Sequence, residues 1–212
     1  AVGEWSRRSD VAVDLEGHGR ESLAGETDVD LSRTVGWLTS LYPVVLSVGA
    51  SSPGDILVQL KEPLREAQAG GLERAAVGWL VSEPSSEGRD EKSAGPGTTG
   101  GILFNDLGRI DGVLEGDFQP ASESPGLMRS PQSPRAYLLE VRAHQADGRL
   151  YFRIVYSRNR HDASTIGNLF ARIEGFLEEL CRQAREGAGN PLCPSDFPLA
   201  RVSRSWLHES VE

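Results

Sequence analysis

AYLLEVRAHQADGRLYFRIVYS, residues 136–157, is the stretch that decides the fold class of this chain. Tyr137, Leu139 and Val141 alternate with polar residues in its first half, and Leu150, Phe152 and Ile154 do so in its second. Alternation with a period of two puts apolar side chains on one face of a strand and polar ones on the other. Ala146-Asp147-Gly148 supplies a turn between the halves, so the stretch predicts an antiparallel hairpin. Immediately afterwards the period changes. From Asp162 to Arg185, the residues Ile166, Leu169, Phe170, Ile173, Phe176, Leu177 and Leu180 recur at three and four. That spacing lays one wide apolar stripe along a helix, better suited to covering a sheet than to holding a cofactor. Gly187 and Gly189 are expected to end the helix.

Moving back towards the N-terminus, Ile102-Leu103-Phe104-Asn105 reads as a further strand. It leaves a Ser-, Glu-, Gly- and Pro-rich segment, residues 82–100, whose composition predicts a mobile surface loop. Residues 115–135 are expected to be irregular. Ser51-Ser52-Pro53-Gly54-Asp55 marks a helix start, with Ser52 as cap and Pro53 in the first turn. This helix carries Ile56, Leu57, Leu60 and Leu64 on one side and ends near Gly70-Gly71, with Pro63 expected to kink or shorten it. An apolar piece, Ala75 to Val81, follows. Val35 to Val48 reads as two short strand segments around a bend at Pro43, since proline cannot sit mid-ladder in a central strand. Val11 to Leu15 alternates and predicts a strand that ends on Glu16-Gly17-His18-Gly19-Arg20-Glu21, where the two glycines allow close backbone approach. Residues 1–9 read as the tail of a helix and a polar turn anchored by Trp5. Together these elements predict an α/β fold, a mixed sheet packed by helices.

At 212 residues the chain can bury a sizeable core. Its formal charge of -9 argues against nonspecific nucleic-acid binding, which needs a basic footprint. No apolar stretch is long enough to span a bilayer, and the first residues lack the pattern of a signal peptide, so a cytoplasmic location is expected. Cys181 and Cys193 are the only cysteines, with no partners at zinc-ligand spacing. They read as reduced thiols, Cys181 as a small buried hydrophobe in the last helix. No metal-ligand cluster, phosphate loop or serine elbow is present.

Chemistry concentrates at residues 16–21. A carboxylate at a strand end inside a cleft loses water, which favours its protonated form and lets it act as acid or base. Glu16 fits that description, and His18 is a second candidate base. Alternation places Glu16, His18 and Arg20 on one face, so the opposing reading is a local Glu16–Arg20 ion pair that orients a turn. Arg33 is expected to cap a strand end or pair with Asp30. Trp37 and Tyr42 read as core or cleft-wall residues. His144, His161 and His208 stand alone in polar contexts and read as solvated.

Residues 16–21, EGHGRE, and 33–43, RTVGWLTSLYP, resemble the EGHGRE and RTVGWFT-x-x-YP signatures of epimerization domains in nonribosomal peptide synthetases, relatives of the condensation domains. Leu38 is the one departure in the second. Phe104-Asn105-Asp106-Leu107-Gly108-Arg109 is similar to FNYLGQ, with Asp106 for Tyr and Arg109 for Gln. Lys61-Glu62-x-Leu64-Arg65 resembles the KE-x-LR helix, and Pro194 to Ala200 the tail that leads towards a following domain. The glycine-rich GxGYG stretch is degraded to Ala75-Ala76-Val77-Gly78-Trp79. The matches keep the family's order over nearly the whole chain.

The resemblance implies a chloramphenicol-acetyltransferase-like lobe, with residues 1–190 forming the C-terminal lobe and 191–212 an extended linker. It implies L-to-D inversion at the α-carbon of an aminoacyl or peptidyl thioester carried on the phosphopantetheine arm of a peptidyl carrier protein. The family's His-His-x-x-x-Asp-Gly motif is absent from these residues, so an N-terminal lobe is an expected partner, together with neighbouring synthetase domains. Glu16 would serve one face of the α-carbon and Arg20 would orient it or stabilise enolate charge. His18 would support them, while Asn105, Asp106, Trp37 and Tyr42 would contact substrate. No cofactor bound directly and no metal are implied. Two rivals stand beside this reading: a noncatalytic module that docks carrier proteins, favoured by Asp106 and the degraded glycine stretch, and a peptide-bond-forming condensation domain.

Overall fold

The computed structural model describes residues 1–20, 30–47, 49, 52–81, 101–111, 121, 123–124, 126–127, 129–186, 192–197, 199–200, 202–203 and 206–207. The elements are α1 (Val2–Ser6), β1 (Asp10–Gly17), β2 (Ser40–Ser47), α2 (Pro53–Ala69), α3 (Gly71–Val81), β3 (Ile102–Arg109), β4 (Leu139–Ala146), β5 (Arg149–Tyr156) and α4 (Ala163–Arg185). The strands form a mixed sheet in the order β2-β1-β3-β4-β5. β1, β3 and β4 run parallel, and β5 returns antiparallel to β4. The predicted turn closes that hairpin, with Asp147 at φ 51° and Gly148 at φ 69°, the left-handed pair that suits the twist of a two-residue loop.

The chain divides into two compact units. The first comprises Ala1–Ala12, Val44–Gly71 and His161–Glu212; the second, Val13–Pro43 and Leu72–Arg160. In the first, α2 and α4 pack together, with Gln183 Oε1 only 3.1 Å from where a side chain on Gly54 would begin. Ser52 caps α2 and forms a reciprocal capping box with Asp55, as the Ser-Pro start predicts. Ile166 and Leu169 are the buried members of the α4 stripe, while Cys181, expected inside, is exposed. Both cysteines are free thiols. No helix among the described residues is long and apolar enough to cross a membrane.

Several expectations are corrected. β2 is one continuous strand through Pro43, not two segments around a bend. It lies at the sheet edge, the place in a sheet where proline is tolerated. Pro63 does not shorten α2, which runs 17 residues across it. Leu57 is exposed and Ala67 is the buried residue of that helix. The histidines are not solvated singletons: His161 packs on Trp5 with ring centroids 5.9 Å apart, and His144 stacks on Tyr151 at 4.9 Å. Arg33 does not pair with Asp30, whose carboxylate accepts the Ser32 N–H instead. A hydrogen bond from the Ser32 side chain and, after it, the one from the Ser32 N–H hold the Asp30 carboxyl below its ordinary range. Residues 82–100, Gly187, Gly189 and His208 lie outside the described residues.

Pro194–Asp196 is a turn, not extended backbone. Asp196 accepts from Lys61 Nζ at 2.5 Å, from an Arg65 guanidinium nitrogen at 2.6 Å and from the Cys193 N–H at 2.8 Å. The Ser195 N–H donates to Glu62 at 3.0 Å. The Lys61 and Arg65 of the KE-x-LR pattern thus grip the segment across more than a hundred residues of chain. Lys61, the Cys193 amide and Arg65 hold the Asp196 carboxyl far below the usual carboxylate range.

Candidate active site

Every residue singled out for chemistry belongs to the second unit. Parallel pairing sets Asp14 beside Leu103 and Leu15 beside Phe104. Continuing that register by one residue places Glu16, at the carboxyl end of β1, next to Asn105 in the middle of β3. Ligands of open α/β sheets gather at such ends. Leu15 is buried on one face, which leaves Asp14 and Glu16 on the other. Asp14 is fully buried and Glu16 half-buried. Among the described residues the Glu16 carboxylate has no hydrogen-bonding or ion-pairing partner.

The turn after Glu16 is built by Gly19, which sits at φ +64°. A β-carbon there would fall 1.7 Å from the Leu38 carbonyl oxygen. Only glycine permits this contact, and it seats the 31–38 loop against the turn. Arg20 completes the seat by donating to the carbonyls of Leu31 at 3.1 Å and Gly36 at 3.2 Å. The two sequence signatures therefore meet in space. Arg20 pairs with the loop and not with Glu16, contrary to the expected Glu16–Arg20 ion pair. Strand alternation ends at Gly17, so it does not align Glu16, His18 and Arg20. His18 is exposed and its Nδ1 accepts the Arg20 N–H at 3.0 Å, which puts the proton of a neutral imidazole on Nε2.

Asn105 is half-buried and shares the face of Glu16. Asp106 points to the opposite face, and its carboxylate accepts the Gly108 N–H at 2.9 Å, closing a local turn at a register shift in β3. Tyr42 is buried, at 4% exposure, on β2. Trp37 is 90% exposed in the 31–38 loop and so is not a core residue.

Two residues escaped sequence reasoning. Asn105 pairs in register with Arg142 on β4, and Arg142 with Arg153 on β5. A single row thus crosses the sheet through Glu16, Asn105, Arg142 and Arg153. One level below stand Asp14, Leu103, Glu140 and Val155; His144 and Tyr151 lie one level above Arg142 and Arg153. The alternation of Glu140, Arg142 and His144 with Leu139, Val141 and Ala143 was the available signal.

The model of the condensation domain matches residues 1–199. One polypeptide of the linear gramicidin synthase of Brevibacillus parabrevis is 37% identical over 98% of this chain and 3% of its own length. Surfactin synthase subunit 2 of Bacillus subtilis (strain 168) is 31% identical over 92% of this chain and 5% of its own. The chain therefore spans only a small part of these relatives. Among solved structures, the epimerization domain from the third module of tyrocidine synthetase B is similar with a TM-score of 0.63 and 31% identity, over 85% of this chain and 38% of that one. The first condensation domain of the CDA synthetase shares the fold at a TM-score of 0.50 and 16% identity, over 90% of this chain and 38% of that one. On the match of its sequence to the family model, this chain belongs to the condensation domain family of nonribosomal peptide synthetases.

Proposed function

We propose that the chain is part of an epimerization domain that inverts the α-carbon of an aminoacyl or peptidyl thioester presented by a carrier protein. The observation that carries this reading is the position of Glu16: a half-buried carboxylate with no described partner, at a strand end beside Asn105. The 31% identity to a solved epimerization domain supports it.

A thioester acidifies its α-proton, and inversion needs an acid/base group on each face of the carbon. Glu16 takes the α-proton on one face, leaving the electron pair as an enolate. A group on the opposite face, the histidine that the resemblance assigns to an N-terminal lobe, returns a proton there. The Asn105 amide can donate to the developing enolate oxygen. Arg20 is a positioning residue that seats the loop bordering the turn.

The test loads a carrier protein with an L-aminoacyl group and follows exchange of its α-proton with solvent. Exchange occurs with the full synthetase protein and vanishes in its Glu16→Gln variant; exchange that survives the substitution removes Glu16 from the chemistry. The 212-residue chain alone gives none. A noncatalytic docking module is the second reading, favoured by Asp106 turning into a local hydrogen bond where the resemblance expects a tyrosine. It forecasts carrier binding with no exchange in any context.

A further inference from the structure

The row that begins at Glu16 ends in two arginines. Arg142 and Arg153 face each other directly across an antiparallel pair, an arrangement that like charges oppose. Among the described residues Arg153 has no ion-pair partner, and Arg142 reaches only Glu140. Glu140 is buried on the same face, and it is already approached by Arg129 at 3.7 Å, Arg135 at 3.6 Å and Arg142 at 3.7 Å. All three distances exceed hydrogen-bond length. Three guanidinium groups surround the one Glu140 carboxylate, and Arg153 adds a further positive charge directly opposite Arg142, in a chain whose formal charge is -9. A solvated surface would disperse such charges. Here strand register forces two of them together, and Arg142 remains 48% exposed and open to a ligand.

The guanidinium fork matches a carboxylate in two-point contact. Neighbouring strands lie about 4.8 Å apart, so the backbone of Arg142 stands roughly 10 Å from that of Glu16, two strands along the row. A carboxylate on the side chain of a residue whose α-carbon sits at Glu16 falls between them, within the span of a long arginine side chain.

We propose that Arg142 and Arg153 bind the side-chain carboxylate of an acidic aminoacyl residue whose α-carbon is held at Glu16, an inference that rests on the acid/base reading of Glu16. It makes the substrate class aspartyl- or glutamyl-like.

Two measurements on the full synthetase protein test it. In the first, calorimetry compares N-acetyl-L-glutamate, N-acetyl-L-glutamine and phosphopantetheine as probes. The glutamate probe binds about tenfold or more tightly than its neutral isostere, as a charged hydrogen bond requires. Arg142→Gln and Arg153→Gln each collapse that ratio, and Arg142→Lys restores part of it. A ratio near one in the unsubstituted protein overturns the proposal. So does phosphopantetheine binding that the same variants abolish while the glutamate preference is absent, since the site would then take phosphate. In the second, α-proton exchange is compared on carriers loaded with L-glutamyl and L-glutaminyl groups. A glutamyl preference lost in Arg142→Gln supports the proposal, and equal rates overturn it. Exchange absent with both substrates condemns the role of Glu16, while the calorimetric ratio still decides the arginine site.

Discussion

Replacing Gly19 with alanine tests how the two sequence signatures are joined. The β-carbon would arrive 1.7 Å from the Leu38 carbonyl oxygen, where real contacts essentially never fall below 3.0 Å. The carbonyl must retreat by the difference, about 1.3 Å, or the turn must unwind. Alanine in the left-handed region costs about 1–2 kcal/mol, offset by about 0.5 kcal/mol from the stiffer unfolded chain. Displacing the loop also strains the Arg20 bonds to Leu31 and Gly36, exposed and so about 1 kcal/mol together. With the clash itself the loss comes to about 3 kcal/mol. Gly108 is the internal control: its φ is +63°, nearly that of Gly19, yet nothing lies within 4 Å of its added carbon. Gly108→Ala therefore bears the backbone cost alone, about 1 kcal/mol. Urea unfolding of both variants, compared at equal slope, reads the difference. If Gly19→Ala is no more destabilising than Gly108→Ala, the loop is not seated on the turn as described.

The grip on Asp196 is expected to fail in acid. Its carboxyl is depressed in the fold, so the stabilisation is complete above the ordinary carboxylate range and is lost as pH falls from about 4 towards the lower folded value. Asp196→Asn should flatten the acid limb of a stability–pH profile and cost about 1–3 kcal/mol at neutral pH, discounted for the partial exposure of Lys61 and Arg65. Leu169→Ala, at a site 1% exposed, should cost about 2–5 kcal/mol in urea unfolding, while Phe170→Ala next to it, 38% exposed, costs clearly less. Ser52→Ala removes the capping box of α2 and should lower stability by about 1 kcal/mol; a neutral result would mean that water replaces the cap.

The hairpin, α4 and the start of α2 were legible because each rests on local chemistry: alternation, a period near 3.6, a serine before a proline. Pro43 was misread because its tolerance depends on β2 being an edge strand, and strand order is not written in local sequence. Arg20 was misread for a related reason. Alternation was carried past Gly17, whereas the left-handed Gly19 turns the chain and sends the guanidinium to the 31–36 carbonyls. The Lys61–Asp196 contact links residues 135 positions apart, beyond any periodic signal. Arg142 and Arg153 were visible as alternating polar residues. Their convergence on the row of Glu16 needed the register of four strands.

The proline in β2 also bears on how the polypeptide behaves in company. An open sheet edge is a template for any extended chain that can complete its ladder, including another copy of the same strand. Pro43 has no N–H to offer in the middle of β2, so an incoming strand that needs one there meets a gap and a ring. A proline in an edge strand thereby hinders self-association through that edge.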